Sequence, residues 1–187
     1  MLGRRFICGL VLCALGIPGL PARGALSATS TIQPIQLTSN SYKYLLTLTN
    51  TGTSPIGTFW FAWIPGYDLL PTVPTAINAP TDWLGVNAPD IGVASAQFYS
   101  ASSPLQPGQT LGGFSFTTSD PPSTIGGISN FFGIPVEESY IYSTVPPALS
   151  PFTDPSSALV PTTVTPEPAT VGLLVGGLLL TRRARRR

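Results

Sequence analysis

The chain has 187 residues, 43% hydrophobic and only 9% charged, with 21 prolines, 19 glycines, two cysteines and no histidine. The missing histidine excludes imidazole acid–base catalysis, a Ser-His-Asp triad and His-ligated metal. Lys43 is the single cation between residues 25 and 165, against Asp68, Asp82, Asp90, Asp120, Glu137, Glu138 and Asp154, a local charge of −6 that leaves no basic surface for nucleic acid.

Residues 1–24 read MLGRRFICGLVLCALGIPGLPARG. Arg4 and Arg5 form a positive start, Phe6 to Ile17 is apolar, and Pro18, Gly19 and Pro21 break the run. Ala22-Arg23-Gly24 offers small residues for cleavage between Gly24 and Ala25, the pattern of a secretory signal helix read by the secretion machinery and signal peptidase. The residues flanking Arg4-Arg5 fit a twin-arginine signal poorly, which favours the general secretory route. Cys8 and Cys13 both fall in this segment, so the exported remainder has no thiol and no disulfide.

From Ala25 to Val145 the dominant period is two. Ile32 to Leu37 reads as an edge strand, because Pro34 lacks a ladder donor. Tyr42, Tyr44, Leu46 and Leu48 form one apolar strand face, followed by the turn residues Asn50-Thr51-Gly52-Thr53. Gly57 to Ile64 (GTFWFAWI) is apolar on both faces and predicts a central, doubly covered strand. Trp60 and Trp63 would then point to opposite faces as core residues. A long loop region over 65–91 carries Asp68, Asp82, Asp90, Tyr67 and Trp83. Further strands are predicted over 93–100, 110–118 (after the Pro107-Gly108 turn) and 139–145, the last of the domain. No helical period is evident, so the expected fold is all-β, a single antiparallel sandwich.

Chemistry is sparse. Glu137 and Glu138 are adjacent and on a strand would face opposite sides, which suits a solvated edge better than a shared acid–base role. Asp68, Asp82 and Asp90 could gather round calcium, but their spacing matches no calcium loop. No nucleophile motif or phosphate loop occurs, and no catalytic, cofactor or metal residue is assigned. Trp83 and Tyr67 are the candidate ligand contacts, for stacking on a sugar ring, with Trp83 as a plug of the sandwich end the competing reading.

Residues 146–165 are rich in Pro, Ser and Thr and read as an extended linker. The end, 166–187, reads PEPATVGLLVGGLLLTRRARRR. Ala169 to Leu180 would make a helix about 18 Å long, short of the ~30 Å hydrocarbon core. Arg182, Arg183, Arg185, Arg186 and Arg187 behind it resist translocation, giving a stop-transfer element with the domain outside and the terminus in the cytoplasm. A span this short suits a transient anchor in the inner membrane.

Pro166-Glu167-Pro168, a short apolar helix and a terminal Arg cluster, in that order, resemble the PEP-CTERM sorting signal of Gram-negative bacteria. The resemblance covers about residues 165–187. It implies recognition of Pro166, Glu167 and Pro168 by an exosortase, processing near the motif, and transfer to the cell surface or extracellular matrix, commonly alongside exopolysaccharide and biofilm. LTLTNTGTSPIGTFWFAWIPG (46–66) and LQPGQTLGGFSF (105–116) resemble, more loosely, strands of immunoglobulin-like export domains. Taken together, the chain is expected to be an exported, non-catalytic surface or matrix protein. The alternatives are a carbohydrate-binding surface module, or a hydrolase with an unrecognised carboxylate site.

Overall fold

The structure is a computed structural model that describes residues 24–90, 92–145 and 157–165. The segment before Gly24, predicted to be a signal, and the tail from Pro166 lie outside the described residues, as do Asp154 and the side chain of Asp90. No helix among the described residues is long and apolar enough to cross a membrane.

The fold is all-β, built from two five-stranded sheets. The first has the order β12-β1-β2-β9-β6, with β1 Ala28–Thr38, β2 Ser41–Asn50, β6 Ala76–Asn78, β9 Thr110–Thr118 and β12 Thr162–Val164. The second runs β11-β10-β3-β8-β7, with β3 Thr58–Phe61, β7 Leu84–Asp90, β8 Val93–Tyr99, β10 Ser139–Tyr142 and β11 Ser157–Val160. A small ribbon of β4 (Trp63–Ile64) and β5 (Tyr67–Asp68) follows β3. The single helix among the described residues, α1 (Pro122–Ile125), is one turn that starts on Pro122, where the missing N–H costs nothing.

Alternation decides which side chains meet between the sheets. Tyr44, Leu46 and Leu48 of β2 and Phe114 and Phe116 of β9 are buried on one side; Phe59, Phe61 and Phe98 are buried on the other. Their rings interlock, Phe59 edge-on to Phe114 at 5.8 Å and Phe61 5.2 Å from Phe116. The Tyr44 hydroxyl donates to the Asp120 carbonyl at 2.6 Å, so a large apolar body is buried without stranding its polar tip. Asp120 is itself buried, and its carboxylate accepts from Thr72 Oγ1 at 2.7 Å and Thr118 Oγ1 at 3.2 Å.

The turn after β2 shows why glycine stands at 52. A Cβ there would lie 2.4 Å from the Ala25 carbonyl oxygen and 2.6 Å from the Ser27 nitrogen, both backbone atoms. Asn50 fixes the same turn, its Oδ1 accepting from Gly52 N at 3.0 Å while Nδ2 donates to the Ser54 and Leu105 carbonyls. Gly52→Ala is therefore expected to cost about 1–3 kcal/mol, read as a lowered urea midpoint at unchanged slope.

Several sequence expectations require correction, among them the long loop over 65–91, which holds β5, β6 and β7. The run 57–64 is not one strand: Ala62 adopts φ 54, which ends β3 and starts β4. The stretch 146–165 is not linker throughout, since 157–164 forms β11 and β12, and β10 ends at Tyr142 rather than Val145. The sandwich is not wholly antiparallel, because β12 pairs parallel to β1 through Ser30–Thr162, Thr31–Thr163 and Ile32–Val164. Local composition hid these strands: prolines flank them, yet Val160 is buried and Val164 packs on the core. The folded unit thus extends to Thr165, whose N–H donates to the Ile32 carbonyl at 2.8 Å. The next β1 residue whose backbone is directed toward β12 is the buried Pro34, which has no N–H to continue the ladder.

Candidate functional site

The outer face of the second sheet carries an aromatic group apart from the main core cluster; in that group Trp63 and Tyr142 are buried and Trp60 and Tyr140 half-buried. Phe59 and Phe61 point inward, so Trp60 between them points outward. An unbroken strand would place Trp63 on the opposite side from Trp60. The left-handed turn at Ala62 shifts the phase by one residue, as a bulge does, and returns Trp63 to the same face. The two indoles stack at 4.0 Å with 6° between their planes. Trp63 also meets Tyr140 edge-on at 5.9 Å and Tyr142 at 6.0 Å. Tandem placement of the two tryptophans was legible in the sequence; their stacking was not, because it depends on one backbone dihedral.

Hydrogen bonds fix this group. Trp60 Nε1 donates to Ser95 Oγ at 2.7 Å, and that hydroxyl donates in turn to Asp68 Oδ1. Asp68 lies on β5, paired in register with Trp63. Trp63 N donates to the Glu138 carbonyl at 2.9 Å, which draws the turn before β10 to the same ribbon. Glu137 and Glu138 lie in that turn rather than on the strand, and one oxygen of Glu137, Oε2, is buried without a hydrogen-bond partner among the described residues. Ser95→Ala would remove both the acceptor for Trp60 and the donor for Asp68. It is expected to cost about 1–3 kcal/mol and to shift tryptophan fluorescence.

Across the strands, register aligns Leu159, Tyr140, Trp60, Gln97 and Val86 in one row. At ~4.8 Å per strand the row spans about 19 Å. Its end residues, Leu159 and Val86, are exposed, and Trp60 and Tyr140 are half-buried. A second aromatic group flanks the ribbon. Tyr67 (50% exposed) packs 4.7 Å from Phe132 (37%), and Phe131 (69%) follows at 6.3 Å. Ile128 and Pro135 bridge the base of this loop.

The two residues singled out for sugar contact are placed differently. Trp83 is 6% exposed, edge-on to Phe114 at 5.2 Å, with Nε1 donating to the Ser103 carbonyl at 3.1 Å. It plugs the core and shows only an edge to an open groove of about 360 Å³ lined also by Thr81, Pro104, Gln109 and Leu111. Tyr67 is exposed beside Phe132, and no ring contact between Tyr67 and Trp83 occurs among the described residues. The loop carboxylates do not assemble either: Asp68 faces Ser95, and Asp82 is exposed in a left-handed turn at φ 65. Among the described residues no group of three or more acidic, Cys or His side chains could hold a metal ion.

No protein-family model and no curated protein sequence matches the chain. Among solved structures, it is similar to a GH20 exo-β-N-acetylglucosaminidase from Vibrio harveyi, with TM-score 0.43 and 14% identity over 76% of this chain. The chain spans only 19% of that enzyme's length. It is also similar to the chitin-binding domain of Chi18aC from Streptomyces coelicolor, with TM-score 0.35 and 22% identity over 51% of this chain and 82% of that one. A CBM3 module of Hungateiclostridium clariflavum gives TM-score 0.36 and 9% identity over 62% and 92%. At these identities and TM-scores the similarities assign no activity.

Proposed function

We propose that this is an exported, non-catalytic protein of the cell surface or extracellular matrix, whose immunoglobulin-like sandwich binds polysaccharide on the outer face of its second sheet. One observation carries the reading: Trp60 and Tyr140 lie half-buried on the outer face around the buried Trp63, and Tyr67, Phe132 and Phe131 are exposed at the adjoining ribbon. Aromatic rings left at a solvated face mark an interaction surface. Sugar rings present C–H faces that pack on aromatic rings and hydroxyls that can reach the half-buried Asp68. The row across five strands is long enough to meet several sugar units of one polymer.

Phe131→Ser tests this at a position where folding has little at stake. It should change stability by less than about 0.5 kcal/mol and weaken retention on immobilised polysaccharide several-fold. Trp60→Ala should weaken retention about tenfold, equivalent to ~1.4 kcal/mol. Unchanged retention in both variants, with native circular dichroism, would refute the reading.

Export and sorting rest on the two ends of the sequence. The signal cleaved between Gly24 and Ala25 delivers the domain; the exosortase reads Pro166, Glu167 and Pro168, while the five terminal arginines hold the tail at the inner membrane. The fold adds a constraint. Ala25 is tied to the sandwich, its N–H donating to Thr53 Oγ1 at 2.9 Å, and Thr165 is tied to Ile32. Both processing points would therefore lie immediately beside the folded unit, with no spacer before Pro166. Glu167→Ala should leave the tail uncleaved and the protein in the membrane fraction; normal processing and surface distribution would sink the sorting proposal.

A further inference from the structure

We infer that the polysaccharide bound by this face carries free amino groups, a hexosamine polymer at least partly deacetylated. The inference rests on the polysaccharide-binding reading above and adds the chemical class of the ligand. Its basis is charge. Lys43 is the single cation in residues 25–165, where seven carboxylates stand. It lies on β2, opposite Ile35 and Thr117, in the first sheet. The second sheet and its ribbon therefore hold no cation among the described residues. A uronate or sulfate polymer laid along the row would find no Lys or Arg to pair with, and would be repelled at short range, since charges interact within about 8 Å at physiological salt.

An ammonium group finds the opposite. Asp68 is joined to Trp60 through Ser95 Oγ, so a carboxylate and an indole are held together. Aromatic faces attract cations through the ring quadrupole, by about 0.5–2 kcal/mol each. A half-buried indole, the Asp68 carboxylate and the absence of a competing cation among the described residues coincide on one face.

The test uses the full-length protein solubilised in detergent. Retention is measured on four insoluble matrices: chitin beads, the same beads deacetylated, cellulose, and calcium alginate. The expected result is retention that rises about tenfold with deacetylation, falls as NaCl is raised from about 50 mM to about 1 M, and is least on alginate. Asp68→Asn should reduce the preference for deacetylated over acetylated beads about threefold. Equal retention on acetylated and deacetylated beads, or preference for alginate, overturns the inference and leaves polysaccharide binding standing. Preference for deacetylated beads that survives both Asp68→Asn and Phe131→Ser reflects bulk charge attraction, and also overturns it. Retention on none of the four overturns both.

Discussion

Replacing residues 157–165 by a Gly/Ser segment of equal length is expected to destabilise the domain by on the order of 5 kcal/mol and to make it self-associate. Burial of Val160 alone stabilises by about 1.5–3 kcal/mol, and Ala158 and Val164 add partial burial. Each ladder hydrogen bond adds a net ~0.5–1.5 kcal/mol; Ser30 N to the Pro161 carbonyl and Thr165 N to the Ile32 carbonyl are two of them. Domains are typically stable by about 5–15 kcal/mol, so the loss would take much of the total. The same replacement uncovers β1 and β10 as edge strands, and unprotected edges pair with other chains. Urea unfolding and size-exclusion chromatography of the detergent-solubilised protein would report both effects. A monomeric, equally stable product would mean that 157–165 is linker after all.

Phe116→Ala should cost about 3–5 kcal/mol. Its ring is fully buried, stacked 5.0 Å from Tyr44 and 5.2 Å from Phe61, so it joins β9 to its neighbour β2 and to β3 in the facing sheet. Truncation leaves a cavity between two sheets whose strands are fixed by their ladders and cannot close on it. It also loosens Tyr44, whose hydroxyl positions Asp120 and, through it, the loop after β9. The expected observation is a large fall in melting temperature with no selective change in ligand preference. A loss under 1 kcal/mol would show that the core repacks freely there.

These two residues sets differ in how visible they are in the sequence. Phe114 and Phe116 alternate with small or polar residues, and a period of two places them on one face without further information. Alternation along Tyr42–Leu48 is equally plain, and glycine at 52 follows from a recognisable turn. By contrast, β11 and β12 are only four and three residues long and lie among prolines, too short to carry a period of their own. Their stability comes from ladders with β10 and β1, strands respectively near and far in sequence, so no local signal announces them. Trp83 could be placed as a plug or as a sugar platform from sequence; contact with Phe114 and Ser103 makes it the plug.

Composition and pattern were enough for the all-β class, the segregation of charge that leaves Lys43 alone among seven carboxylates, and the lack of imidazole and thiol chemistry from residue 25 onward. Such properties follow from composition and from a two-residue period, which needs only neighbouring residues to be seen. It took three-dimensional contacts to show that the unit runs on to Thr165, and that Trp60, Trp63, Tyr140 and Asp68 share one outer face. That grouping depends on the left-handed backbone at Ala62 and on pairing between strands distant in the chain. Neither a single dihedral nor a long-range register leaves a mark in local residue pattern.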